Sequence, residues 1–126
     1  MQAFWPGGLT IILHKAQSAA STSSAGTIGL RVPDHAVPRA LSRLLGGPIT
    51  GTSANIAGGP EPLSVDDVRR VLGDAVALII DGGPSPGGRP STVIDCTQDP
   101  PTILRLGAVS RAEIERVLGR KVAVND

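Results

Sequence analysis

Gly51-Thr52-Ser53-Ala54-Asn55 packs two hydroxyls and a carboxamide into five residues, between an apolar run and a turn rich in glycine and proline. Such a cluster could hold a polar ligand, but Ser and Asn also gather in turns because their side chains bond their own backbone. Arg31 is more demanding. The alternation of Thr27-Ile28-Gly29-Leu30-Arg31-Val32 places Thr27, Gly29 and Arg31 on one strand face. A guanidinium projecting from a strand needs an acidic partner or an anionic ligand to offset its desolvation, and a surface ion pair would serve as well as a substrate. Ser91 follows the glycine-rich stretch 82–88, and Arg105 closes a short apolar run just before Gly107. Both stand where backbone could approach a ligand closely.

Other chemistries find little support. No Gly-x-x-x-x-Gly-Lys-Ser/Thr string exists, which removes the phosphate-loop reading. The single cysteine, Cys96, sits in an apolar stretch where a free thiol is ordinarily packing, and it excludes a disulfide framework. His14 and His35 are far apart and have no Ser or Cys neighbour, so neither a triad nor a zinc site can be read. Asp81 and Asp95 end apolar runs and are better turn caps than metal ligands. What remains is hydroxyls, an amide and two arginines, without a nucleophile or strong general base. That inventory suits a site that binds a phosphorylated ligand and works by positioning and charge stabilisation.

These groups must be carried by elements. Leu9–His14 reads as a strand apolar on both faces and Thr27–Val32 as an alternating strand. Asp34 is a fitting N-cap for a helix whose stripe is Val37, Leu41, Leu44 and Leu45, with Pro38 in its first turn and Gly46-Gly47 as its stop. Ile49–Ala54 and Val76–Ile80 read as further strands. Ser64-Val65-Asp66-Asp67 and Ser110-Arg111-Ala112-Glu113 are capping boxes for two more helices, ended by Gly73 and Gly119. Ser91–Cys96 and Thr102–Arg105, joined through Asp99-Pro100-Pro101, form a hairpin. About six strands and three helices predict an α/β or α+β domain with a mixed sheet, since the C-terminal strands have connections too short for crossovers. Residues 16–26, rich in Ser, Ala and Thr, predict a mobile loop.

Composition sets bounds on the partners. The chain has 126 residues, a formal charge of +1, 16 glycines, 11 prolines and no tyrosine. A single core suffices at this size. The near-neutral charge and scarce aromatics argue against strong nucleic-acid affinity. The longest apolar stretch, Leu9–Leu13, is far short of a membrane span and the first residues lack a signal-peptide pattern, so the expected compartment is the cytoplasm.

Six strings in order carry a resemblance: Phe4-Trp5-Pro6-Gly7-Gly8-Leu9-Thr10, residues 27–35 (TIGLRVPDH), Thr52-Ser53-Ala54-Asn55, Asp81-Gly82-Gly83, residues 90–95 (PSTVID) and residues 103–108 (ILRLGA). The chain resembles the YrdC-like threonylcarbamoyl-AMP synthases. The resemblance implies a twisted mixed sheet with flanking helices around a concave, positively charged cavity. It also implies an enzyme that joins L-threonine, bicarbonate and ATP into threonylcarbamoyl-adenylate and pyrophosphate, with no covalent enzyme intermediate. The product would pass to tRNA threonylcarbamoyl transferase proteins for modification of an adenosine in tRNA. Carried over by motif, Arg31, Ser53 and Ser91 would hold threonine. Thr27, Asn55, Ser64 and Arg105 would face ATP, with Mg2+ accompanying the nucleotide, and Ser64 has a helix cap as its competing role. Two departures, Gly8 and Leu106 where the family has proline, loosen turns without removing a polar group.

On this reading residues 1–126 are one YrdC-like domain lacking an N-terminal segment that relatives carry, the C-terminal two thirds of a synthase. The alternative is a non-catalytic module that binds nucleotide, or weakly tRNA or double-stranded RNA. A hydrolase or regulatory relative ranks last, since the additional segments of such enzymes are not in the chain. The central expectation is that Arg31, Ser53, Ser91 and Arg105 line one hollow.

Overall fold

The computed structural model describes residues 2–17, 26–85 and 89–125. It divides into two compact units, residues 1–36 with 89–126, and residues 37–88. The first unit is built on five strands: β1 (Leu9–His14), β2 (Thr27–Leu30), β3 (Thr92–Asp95), β4 (Thr102–Arg105) and β5 (Ala123–Val124). Their order is β2-β1-β3-β4-β5, with β1 parallel to β3, β4 parallel to β5 and the other pairs antiparallel. The expected mixed sheet is present, and β3 and β4 make the expected hairpin.

Alternation sorts the sheet into two faces. Leu9 and Ile11 of β1, Ile94 of β3 and Ile103 of β4 turn inward, joined by Val109, Ile114 and Val122 in one buried cluster. Ile114 comes from the C-terminal helix, Arg111–Leu118, which covers this face. That helix starts at the foreseen capping box, Ser110 accepting from the Glu113 amide while Glu113 accepts from the Ser110 amide. Glu115 on its next turn accepts from Arg111 Nε at 2.9 Å and from the Val122 amide at 3.1 Å, so it ties the helix to the chain entering β5. Phe4 and Trp5 pack on the core from the N-terminal turns, and Trp5 Nε1 donates to the Leu9 carbonyl at 2.7 Å.

α1 (Ala36–Leu45), which lies in the second unit from Val37 on, begins one residue later than an Asp34 cap requires. Pro38 is the third helical residue, and its missing N–H is one that the first turn leaves without an intrahelical acceptor. The helix stops as expected. Gly46 adopts φ +70°, and the amides of Gly46 and Gly47 return to the carbonyls of Arg43 and Ser42, a pairing that satisfies two terminal acceptors. We number Val65–Leu72 as α2 and the C-terminal helix as α3; α2 is capped by the Ser64–Asp67 box and runs into a 3-10 turn, Gly73–Ala75.

Two expected strands are absent. Residues 49–54 and 76–80 have no ladder partner, and Leu78 and Ile80 are exposed. Apolar, β-branched composition is compatible with a strand but does not create one without a neighbouring edge to complete its hydrogen bonds. Conversely, β5 has only two residues and gave no periodic signal. The glycine-rich loop lies partly, and the Ser/Ala/Thr loop mostly, outside the described residues. No described helix is long and apolar enough to cross a membrane.

Ile103 is fully buried, so Ile103→Ala should destabilise the first unit by about 2–5 kcal/mol, read as a lower urea midpoint. The Glu115 carboxyl is held below the ordinary glutamate value of 4.5, first by the Val122 amide and then by Arg111 and Lys121. A lowered native pKa gives stability that is complete above the unfolded value and disappears as pH falls through the native one. Glu115→Gln should therefore be less stable than the parent near neutrality, with the difference closing as pH drops below about 4, in urea titrations at a series of pH values.

Candidate functional site

The face of the sheet opposite the core gathers the polar residues. Thr10 pairs with Val93 across β1 and β3, and Val93 pairs with Arg105 across β3 and β4. Thr10, Val93 and Arg105 thus form one row across β1, β3 and β4, about 10 Å from end to end at the usual strand spacing. The β1–β2 ladder ends where Ile11 meets Leu30, and Arg31 follows directly after β2. Ser91 precedes β3 and points to the same side as Val93.

A bulge puts Arg105 in the row. Ile94 faces Ile103, so a regular ladder would pair Val93 with Leu104; the register instead skips to Arg105. The extra residue lets Ile103 stay in the core while Arg105 emerges on the opposite face.

Contacts along the row are specific. Arg105 donates from Nε and Nη2 to the Ser91 carbonyl at 3.1 and 2.9 Å, and from Nη2 to Ser91 Oγ at 3.2 Å. Ser91 Oγ is 2.9 Å from Thr10 Oγ1. Just after β2, Arg31 Nε donates to the Gly7 carbonyl at 2.8 Å, and the Gly7 amide donates to the Val32 carbonyl, fixing the N-terminal turns beside Arg31. Among the described residues neither guanidinium is within ion-pair distance of a carboxylate; all five ion pairs lie elsewhere. Among the described residues, no surface ion pair explains Arg31.

Beneath the row, Thr92 welds two chain segments together. Its fully buried Oγ1 donates to the Val109 carbonyl at 2.6 Å and accepts from the amides of Gly107 and Val109 at 2.9 and 3.1 Å. Gly107 lies so close that a Cβ there would run into the Pro90 carbonyl and the backbone of Ser91 and Thr92. The weld fixes the chain on both sides of Ser91 and Arg105.

Thr27 stands on the same face at the far end of β2, opposite His14, two alternations from Arg31. Ser53, Asn55 and Ser64 belong to the second unit. There Ser53 Oγ donates to Asn55 Oδ1, while Asn55 Nδ2 donates to the carbonyls of Gly59 and Ile56 at 2.6 and 3.1 Å. Between them Ala54 adopts φ +56°, a left-handed conformation that an alanine occupies only at some cost. The Ser64 hydroxyl accepts from the Asp67 amide and donates to Asp67 Oδ2 at 2.8 Å, so the capping box engages it in both directions. Asp81 and Asp95 accept from the amides two residues on, Gly83 and Thr97, the turn roles foreseen for them. Cys96 differs from expectation. It follows the end of β3 and is exposed, with partial burial and Asp95 raising its thiol pKa. Thr10 was not singled out from the sequence, because a lone threonine in an apolar run acquires meaning only when strand pairing places it beside Ser91.

The structure is thus an α/β domain whose mixed sheet carries Thr10, Ser91 and Arg105 in mutual contact on one face. The comparisons place it among known proteins. A family model for Sua5, YciO and YrdC proteins, described as telomere recombination, matches residues 1–107, and the chain belongs to that family. It is 42% identical over 122 residues to a threonylcarbamoyl-AMP synthase of Bacillus subtilis, covering 94% of this chain and 35% of that protein. A putative threonylcarbamoyl-AMP synthase of Mycobacterium tuberculosis is 41% identical over 121 residues, 94% of this chain and 55% of its own. Among solved structures, Pyrococcus abyssi Sua5 complexed with L-threonine superimposes with a TM-score of 0.90 at 38% identity, over 98% of this chain and 37% of that one. Escherichia coli YciO gives 0.72 at 34% identity, over 83% and 52%. The chain thus spans between about a third and just over half the length of these relatives.

Thr92→Val keeps the shape but strands two buried amides and a carbonyl. We expect a loss of roughly 2–4 kcal/mol in urea unfolding, faster hydrogen exchange at Gly107 and Val109, and substantial recovery in Thr92→Ser.

Proposed function

We propose that this chain carries out threonylcarbamoyl-adenylate chemistry, taking L-threonine, bicarbonate and ATP with Mg2+ and releasing pyrophosphate. The observation that carries the reading is the polar cluster: Arg105 bonded to Ser91, with no carboxylate in ion-pair distance of it or of Arg31 among the described residues, in a chain 38% identical to a protein crystallised with L-threonine. Arg31 would take the threonine carboxylate, since its Nη groups form a planar fork suited to two parallel hydrogen bonds. Ser91 would hold a second polar group of the amino acid. Arg105 would stabilise charge on the phosphates, with Thr27 on the nucleotide side.

For the second unit the proposal follows the resemblance, Ser53 toward the amino acid and Asn55 and Ser64 toward the nucleotide. Ser64 would have to give up bonds to Asp67 to serve. The threonine amine condenses with bicarbonate to a carbamate with loss of water, and a carbamate oxygen then attacks the α-phosphorus as pyrophosphate leaves. The protein needs only to hold the reactants in line and offset their charge, so the absence of a candidate nucleophile fits. The adenylate then serves tRNA modification through a tRNA threonylcarbamoyl transferase in the cytoplasm.

Calorimetry with L-threonine, followed by threonine-dependent pyrophosphate release from ATP and bicarbonate, tests the reading. Arg31→Ala should weaken threonine binding roughly 10- to 100-fold, the worth of a charged hydrogen-bond pair, and leave ATP binding nearly unchanged. Arg105→Ala should weaken ATP binding to a similar degree and, because it also removes the bonds that hold Ser91, lower threonine affinity as well. Absence of both threonine binding and threonine-dependent turnover, with salt-sensitive tRNA binding in their place, would favour an RNA-binding module.

A further inference from the structure

We infer that Thr10 is a positioning residue: its hydroxyl holds Ser91 Oγ so that the serine presents a hydrogen, not a lone pair, to an anionic oxygen of the bound ligand. The inference rests on the proposed threonine site and deepens it.

The argument is a count of donors and acceptors. A hydroxyl has one hydrogen and two acceptor positions. Arg105 Nη2 fills one acceptor position of Ser91 Oγ, and the 2.9 Å contact with Thr10 Oγ1 consumes one hydrogen, from either partner. Whichever way that bond runs, one hydroxyl hydrogen of the pair is left over beside a guanidinium. When Thr10 donates, both acceptor positions of Ser91 are filled and the spare hydrogen belongs to Ser91. An anionic oxygen bound at Ser91 selects this direction, because only then is the serine hydrogen free to meet it, and the serine is polarised by the Arg105 guanidinium and the Thr10 hydroxyl at once.

Position supports the assignment. Ser91 is only 9% exposed, so it has few alternatives once its partners are set. Thr10 is the second residue of the six-residue strand β1 and is paired there with Val93 of β3, which makes it a stiffer support than the arginine side chain reaching Ser91 from β4. A β-branched residue has restricted χ1, so its hydroxyl is already aimed. No other hydrogen bond engages Thr10 Oγ1 among the described residues. Its orientation therefore answers to Ser91 alone.

The test uses Thr10→Val, which keeps shape and strand propensity, and Thr10→Ser, which keeps the hydroxyl. Hα–Hβ couplings of Ser91, measured by NMR on the full chain, should report one staggered rotamer in the parent, averaging in Thr10→Val and one rotamer again in Thr10→Ser. Threonine affinity should fall about tenfold in Thr10→Val, the loss of one net hydrogen bond, with ATP affinity and the urea midpoint unchanged. A merely structural role would move the midpoint and both affinities together. An unaveraged Ser91 in Thr10→Val, or averaging with unchanged threonine affinity, overturns the inference. If the parent takes up no threonine while the couplings respond as described, the amino-acid assignment fails and the positioning of Ser91 by Thr10 stands.

Discussion

The buried hydroxyl of Thr92 is the constraint on which the row depends. Three bonds meet at one oxygen, and each of its partners, two amides and a carbonyl, lies in the segment after β4. Strand pairing alone would let β3 and β4 slip, and a slip of one residue moves every side chain to the other face. The weld forbids this, because a displaced Thr92 would abandon two buried donors and Gly107 has room against Pro90 only in this register. Ser91 adjoins Thr92 and Arg105 lies two residues before Gly107, so their meeting on one face follows from a packing requirement on the other.

The bulge at Leu104 solves a related conflict. Ile103 must be buried for the core to close, and Arg105 must be kept out of it, yet residues two apart on a regular strand share a face. One inserted residue separates them. Bulges of this kind re-aim side chains at the cost of part of a ladder, and here the bulge turns Arg105 toward Ser91.

Much of this scaffold was legible because it is local. The strand Leu9–His14 matches its observed bounds, Thr27–Val32 is two residues too long, and both capping boxes form because Ser and an acidic residue three positions on can satisfy each other without tertiary help. What failed needed a partner. Residues 49–54 and 76–80 have strand composition and no strand to pair with, and β5 has a partner and almost no composition. The site shows the same division. Arg31, Ser91 and Arg105 could be suspected from type and setting, but Thr10 became visible only through strand pairing, and the bulge that turns Arg105 outward has no signature in TILR. For Asn55 and Ser64 the turn and cap roles weighed against the functional ones account for most of their hydrogen bonds.

The carboxylates divide labour with the row in a way that bears on pH. Asp67, Asp95, Glu113 and Glu115 are all held below their ordinary pKa values, and in each case a hydrogen bond from a neighbouring hydroxyl or amide is the largest cause. All four are fastenings, two in helix caps, one in a turn and one between α3 and β5. None belongs to the row. Apart from Val93, the row presents hydroxyls and a guanidinium and contains no carboxylate. Acid therefore acts on this domain by loosening its fastenings, and what it weakens first is the scaffold behind the row and not a charge within it.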